Sequence, residues 1–126
     1  MQSELARKIR VDSQECVNSL SAIDDALYVI GGKWKLRIIA SLSDAPLRFN
    51  ELQRRVRGIS ARVLSNELKE LELNGFVKRR TLQTKPAVVE YELTPYSDTL
   101  SDVFLALNAW GTMHRKRIRQ YQFTPS

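Results

Sequence analysis

Four polar side chains with the chemistry of nucleic-acid recognition recur at helical spacing in the middle of the chain. They are Arg62 and, three, four and seven residues after it, Ser65, Asn66 and Lys69. That spacing places them on one face of a helix. An arginine there can reach guanine or phosphate and an asparagine can pair with adenine, so the face has the composition of a DNA-reading surface. An ordinary solvated helix face explains the same residues equally well.

The segment around these side chains carries the start and stop signals of a short helix. Ser60 suits the N-cap position, because its hydroxyl can accept a hydrogen bond from an amide of the first turn. Gly75 stands where a helix ends in a left-handed residue. Between them Leu64, Leu68 and Leu71 recur at the spacing of a buried stripe. The sequence therefore predicts a helix over residues 60–75 with one buried face and one polar face.

The positive charge of the chain is concentrated around this helix. The net charge is +6, from 20 Lys and Arg against 14 Asp and Glu. Residues 48–86 hold ten of these cations and four of the acids, whereas residues 1–47 and 87–126 are each balanced. This distribution favours a polyanion as partner, because Lys and Arg displace condensed counterions from phosphates. A solvated basic surface is the alternative.

The surrounding periodicity predicts the elements that position the polar helix. Helical patterns cover residues 19–30, 33–42 and 48–56, with a break at Gly31-Gly32 and a short turn at Arg57-Gly58. Two short helices joined by a glycine-containing turn form the helix-turn-helix pattern. Residues 76–82 and 88–93 then alternate like the strands of a hairpin. A hairpin alone is marginal, so we expect it to lie on the helices or to pair with a short strand near Leu47-Arg48.

A last amphipathic helix is predicted from about residue 97 to residue 119, after Thr94-Pro95. A helix of about 20 residues is ~30 Å long, more than so small a core can cover, so part of its apolar stripe is expected to meet another subunit. The predicted class is mainly α with a small β-hairpin wing (α+β). Within one compact domain we expect an N-terminal arm or helix at 1–18, a winged helix-turn-helix at 19–95, a dimerisation helix at 96–120 and a tail at 121–126.

Several runs of residues make the order of elements more specific. They are Ile30-Gly31-Gly32-Lys33-Trp34, Arg48-Phe49-Asn50-Glu51-Leu52, Gly58-Ile59-Ser60 with Leu64-Ser65, Leu68-Lys69-Glu70-Leu71, Val89-Glu90-Tyr91-Glu92-Leu93-Thr94 and Ala109-Trp110-Gly111. In these runs and their spacing, residues 20–111 resemble the HxlR-type transcriptional regulators, a branch of the MarR-like winged-helix proteins of bacteria. The Gly-Gly-Lys-Trp and Arg-Phe-Asn-Glu-Leu runs are the more selective part, since the other patterns are common to winged helices.

The resemblance implies a DNA-binding regulator, with repression the expected sign, that binds a pseudo-palindromic operator as a homodimer held by its N- and C-terminal helices. A winged-helix protein-interaction module without sequence-specific DNA binding is the alternative. The predicted DNA contacts are Ser60, Arg62, Ser65, Asn66 and Lys69 in the recognition helix, with Arg48, Asn50, Lys78, Arg80 and Lys85 in the wing and its flanks. The predicted dimer interface holds Leu5, Ile9, Phe104, Leu107, Trp110, His114 and Ile118.

Three arginines just before the recognition helix have no settled role. Arg54, Arg55 and Arg57 either bind backbone phosphate, pair with Glu51 or stay solvated.

Little in the chain suggests catalysis or a bound cofactor. The single histidine, His114, lies on the apolar stripe of the last helix, which predicts a packed or interface residue. The single cysteine, Cys16, excludes an intrachain disulfide. Members of the resembled family often carry a cysteine about thirteen residues before the tryptophan; here that position is about Ser21. Cys16 therefore stays open as a redox thiol or a partly buried one. We expect no enzyme activity, no cofactor and no metal, and leave a small-molecule or redox effector open.

The chain has the marks of a cytoplasmic protein. No apolar run approaches the ~20 residues of a membrane span. The N-terminal residues place no apolar stretch behind their charges, so no secretory signal is predicted. A single cysteine fits a reducing compartment.

Overall fold

The computed structural model describes residues 3–9 and 13–123. They form helices, a small antiparallel sheet and a 3₁₀ turn in the order expected of a winged helix. The elements are α1 (Glu4–Ile9), α2 (Ser13–Ile30), α3 (Lys35–Ser41), β1 (Leu47–Arg48), α4 (Phe49–Arg55), α5 (Ala61–Leu73), β2 (Val77–Leu82), β3 (Val88–Leu93), the 3₁₀ turn (Pro95–Leu100) and α6 (Ser101–Phe123). The predicted class, mainly α with a β-hairpin wing, is confirmed.

The core lies where α3, α4 and α5 meet the sheet. Its most enclosed side chains are those of Ile38 on α3, Leu52 on α4, and Leu64 and Leu71 on α5, which have no accessible surface. Burial of a leucine or isoleucine side chain contributes roughly 1.5–3 kcal/mol. The predicted stripe of α5 is therefore the part of the helix that is anchored, which leaves the opposite face outward.

The sheet places the wing against this core. Its strand order is β1-β3-β2, and both pairings are antiparallel. Leu47 pairs with Tyr91, so the short first strand extends the hairpin as predicted. In the hairpin, Lys78 stands opposite Glu92 and Arg80 opposite Glu90. Two alternate positions of the wing thus pair a cation with an acid on the same face.

Several helix boundaries differ from the predicted ones. The helix predicted over residues 19–30 begins earlier, at Ser13. The third helix begins at Lys35, because Gly32 takes a φ of +90° and holds Lys33 and Trp34 in the preceding loop. The last helix begins at Ser101, because residues 95–100 form a 3₁₀ turn. It then continues to Phe123, beyond the predicted end near residue 119.

Helices α2 and α6 leave large apolar side chains uncovered. Leu20, Ile23 and Leu27 of α2 are about half exposed, as are Leu107 and Trp110 of α6. An exposed apolar surface of this kind marks an interaction site more often than a solvated one. Residues 3–9 and 13–123 therefore form a packed winged helix with two helices whose apolar stripes are left uncovered by these residues.

Candidate nucleic-acid interface

Helix α5 is fixed at both ends by local hydrogen bonds. The Ser60 hydroxyl accepts a hydrogen bond of 3.1 Å from the amide of Val63, which satisfies an otherwise free donor of the first turn. At the other end Gly75 has a φ of +82°. The Phe76 amide donates to the Leu71 carbonyl at 3.0 Å, the bond that closes a Schellman stop. Both predicted helix signals are confirmed.

The outward face of α5 presents the four predicted side chains. Arg62, Asn66 and Lys69 are exposed and Ser65 is half-buried. Arg62 and Lys69 form no ion pair with the part of the chain that the structure describes. We call these four residues the reading face. Its cations can meet an anion without giving up an internal partner.

The acids of α5 are bound to cations from other elements. The Lys35 ammonium lies 2.8 Å from a carboxylate oxygen of Glu67 and 2.6 Å from one of Glu70. Glu72 accepts a hydrogen bond of 2.9 Å from Arg79 of β2. Each carboxylate of α5 therefore has a cationic partner, and the single charge of Lys35 offsets one of the two negative charges it contacts.

Lys35 is the residue that the sequence analysis missed. It is only 8 % exposed, at the start of α3. Burial acts to lower the pKa of its ammonium, but hydrogen bonds and Coulomb attraction to Glu67 and Glu70 outweigh that effect, and the pKa is raised above 10.5. A buried cation shared by two carboxylates ties the start of α3 to the middle of α5. Periodicity could not reveal it, because the partners are over thirty residues apart in the sequence.

The cations of the wing are mostly paired. Arg80 lies 3.2 Å from an oxygen of Glu90 and 3.8 Å from one of Glu92. Lys78 lies 3.5 Å from Glu92. Lys85, at the exposed hairpin tip, forms no ion pair with the described residues. Of the three predicted contacts in the hairpin itself, Lys78 and Arg80 must leave a carboxylate before they bind a phosphate. Lys85 can bind a phosphate directly.

The two predicted contacts at the start of α4 are exposed. Arg48 precedes the helix and Asn50 lies in its first turn. The Glu51 carboxylate accepts a hydrogen bond of 2.9 Å from the Arg48 amide, which caps the helix. Arg55 contacts the Asp44 carboxylate at 3.7 Å. Glu51 thus acts as a cap, and among the described residues it forms no ion pair with Arg54, Arg55 or Arg57.

The predicted dimer residues lie on a separate surface formed by the terminal helices. Leu5, Phe104, Leu107, Trp110 and Ile118 are each at least 40 % exposed. His114 is exposed and stacks on Trp110, with ring centroids 4.8 Å apart. The side chain of Ile9 lies outside the described residues. The exposed stripe of α2 was not among the predicted interface residues, although its periodicity was visible in the sequence.

The remaining sites show no further chemistry in the part of the chain that is described. The side chain of Cys16 lies outside it, so its predicted roles stay open. Among the side chains that the structure describes, no three of His, Cys, Asp or Glu are arranged to hold a metal ion. Within the same residues no helix is long and apolar enough to cross a membrane.

Comparison with known proteins identifies a family that matches most of the chain. The family model for HxlR-like helix-turn-helix proteins matches residues 29–119. An HTH-type transcriptional regulator of Halalkalibacterium halodurans is 44 % identical over 90 residues, which cover 71 % of this chain and 80 % of that protein.

Two solved structures share the architecture. The redox regulator HypR in its reduced form has a TM-score of 0.72 and 37 % identity, covering 79 % of this chain and 99 % of that one. A structure described as a MarR-family transcriptional regulator, from Enterococcus faecalis, has a TM-score of 0.68 and 38 % identity, covering 88 % and 96 %. The resemblance found in the sequence is thereby confirmed.

Proposed function

Because the chain belongs to the HxlR-like helix-turn-helix family of transcriptional regulators, we propose that it represses transcription by occupying a pseudo-palindromic operator as a homodimer. One α5 helix enters the major groove at each half-site. The reading face supplies base contacts, and the cations around it supply phosphate contacts. Affinity then comes chiefly from phosphate and specificity from the bases.

The observation that carries this proposal is that the acids of α5 are paired with cations while its own cations are not paired with acids of the described residues. The helix carries three acids, each bound to a cation of another element, while its own Arg62 and Lys69 form no described ion pair. A helix with side chains is ~10–12 Å wide and the major groove is ~12 Å wide, so the element fits. An anchored helix with a free polar and cationic face is suited to reading a polyanion.

The homodimer is supported by the uncovered stripes of α2 and α6. Leu20 and Leu27 on the first helix and Leu107 and Trp110 on the second are each more than half exposed. A second copy of the chain would cover both stripes in a symmetric interface. Two α5 helices would then be set one DNA turn apart, about 34 Å, which is the spacing of two half-sites.

The proposal is tested by selecting bound DNA from a random pool with the purified full-length chain. The expected result is an enriched inverted repeat with half-site centres about ten base pairs apart or a multiple of that. Sedimentation of the protein with the selected duplex is expected to give two chains per duplex.

Three results would contradict the proposal. Enrichment of a single half-site without symmetry would exclude the dimeric mode. The absence of any enriched sequence, together with weak binding at moderate salt, would favour the protein-interaction module instead.

Placing the selected site upstream of a reporter gene tests whether the protein represses or activates transcription. Increased expression in the presence of the protein would exclude repression.

A further inference from the structure

We propose that Lys33, Arg37 and Arg57 form a second phosphate-binding cluster, beside the N-terminal end of α5. This indole cluster, named for the Trp34 ring at its centre, contacts the DNA backbone next to the bases that α5 reads. The inference rests on the proposed function. It assigns phosphate contact to Arg57, for which the sequence left that role open, and adds Lys33 and Arg37, which the sequence did not indicate. Residues 1–47 are balanced in charge, so Lys33 and Arg37 do not stand out there.

One aromatic ring holds two of the cations. The Lys33 ammonium lies 4.7 Å from the centroid of the Trp34 ring, and the Arg37 guanidinium carbon lies 4.9 Å from it. Both separations are within the ~6 Å over which a cation is attracted to a ring face. This attraction orients the side chains without neutralising them, because the ring carries no net charge.

The third cation is joined to the other two through the backbone. The Arg37 guanidinium donates a hydrogen bond of 3.1 Å to the carbonyl of Arg57. A Cβ atom placed on the next residue, Gly58, would lie 3.9 Å from the Trp34 ring, so the turn before α5 runs along the indole edge. Gly58 itself has a φ of +87°, which permits that tight turn.

The position of the cluster points to phosphate. The turn leads through Ile59 directly into Ser60, the N-cap of α5, where the exposed amides of a helix favour negative charge. Lys33, Arg37 and Arg57 are all exposed and form no ion pair with a carboxylate of the described residues. Three unneutralised cations therefore flank the end of the reading helix. A helix in the major groove has the sugar-phosphate backbone beside it, so a phosphate is the anion that lies there.

The test measures how DNA affinity depends on salt for Lys33→Gln, with two controls. Lys33→Arg keeps the charge. Lys8→Gln makes the same change of net charge in α1, where Lys8 already pairs with Glu4 at 3.0 Å. Each protein is titrated with the selected operator and with random duplex at several salt concentrations, and folding is checked by circular dichroism.

For Lys33→Gln the slope of log affinity against log salt is expected to become shallower by about 0.9 for each protomer. At 0.1 M salt this corresponds to about an eightfold loss of affinity per lost contact. The loss is expected to be equal for operator and random DNA, while Lys33→Arg and Lys8→Gln stay close to the unmodified protein.

Two outcomes would overturn the inference while leaving the proposed function intact. In the first, Lys33→Gln changes the slope no more than Lys8→Gln does. In the second, the loss falls on the operator alone, which would mean that Lys33 contacts a base. If the unmodified protein itself binds no DNA, the proposed function is refuted and the indole cluster with it.

Discussion

The reading face, with two cations, and the wing, with four, differ in what those cations already bind. On α5, Arg62 and Lys69 form no ion pair with a carboxylate of the described residues. The acids of the same helix bind Lys35 and Arg79 instead. On the hairpin, Lys78, Arg79 and Arg80 all contact acids. The wing tip, with Lys85, is the exception.

This difference shows that the number of basic residues in a segment overstates the number of cations that can bind phosphate, because some of them are already paired with carboxylates. A cation paired with a surface carboxylate must give up that partner when it binds DNA, although such a pair is itself worth only about 0–1 kcal/mol. The wing cations remain candidate contacts, and each is expected to contribute less than a cation of the reading face.

The largest effect is expected from Lys35→Met, which removes the cation that pairs with two acids of α5. Loss of one partner of a buried ion pair costs about 3–5 kcal/mol. Because the Glu70 side chain is 58 % exposed, we expect a smaller loss, roughly 2–3 kcal/mol of unfolding free energy. Urea denaturation measures this loss.

The control Lys8→Met breaks an exposed pair with Glu4 and should cost at most about 0.5 kcal/mol. Equal effects of the two variants would refute a structural role for the Lys35 contacts.

The stabilising effect of Lys35 should also depend on pH in a defined direction. Its pKa is raised by folding above the ordinary value of 10.5. The stability it contributes is therefore fully present below pH 10.5 and is lost as the pH rises through the folded pKa. The difference in stability between the unmodified protein and Lys35→Met should be constant at neutral pH and shrink above pH 10.5. A difference that grows with alkaline pH would contradict this assignment.

The next effect is expected from Arg62→Ala on the reading face. Removing an arginine that contacts a base should weaken operator binding by roughly 1–3 kcal/mol and bring operator and random-DNA affinities closer together. Arg115→Ala on α6 is the control, because it removes the same exposed residue type outside the reading face. If the ratio of operator to random-DNA affinity is unchanged, Arg62 does not read a base.

The elements that position the reading face could be predicted because their signals are local. The cap at Ser60 and the stop at Gly75 depend on residues within a few positions of each other, and the leucine stripe of α5 shows which face is buried. The same local reasoning failed at Trp34. Its spacing fits the stripe of the third helix, but the positive φ of Gly32 delays that helix until Lys35.

The partners of the charged side chains could not be predicted, because they belong to different elements. Lys35 meets Glu67 and Glu70 only after α3 and α5 have packed, and nothing in their periodicity indicates it. The wing pairs depend on the register of the hairpin, in which Arg80 stands opposite Glu90. A five-residue loop, 83–87, does not fix that register as a two-residue turn would. The sequence therefore showed where the charge lies but not which charges are free.

We infer that DNA is held chiefly by cations without an internal partner, and the salt dependence of binding measures their contribution. Lys69→Gln removes a free cation of the reading face. The double variant Arg80→Gln with Glu90→Gln removes a wing cation together with its nearer acidic partner and keeps the net charge. We expect the slope of log affinity against log salt to become shallower by about 0.9 per protomer for Lys69→Gln and to stay unchanged for the double variant. If the double variant loses as much slope as Lys69→Gln, the paired wing cations bind DNA as strongly as the reading face and the claim is wrong.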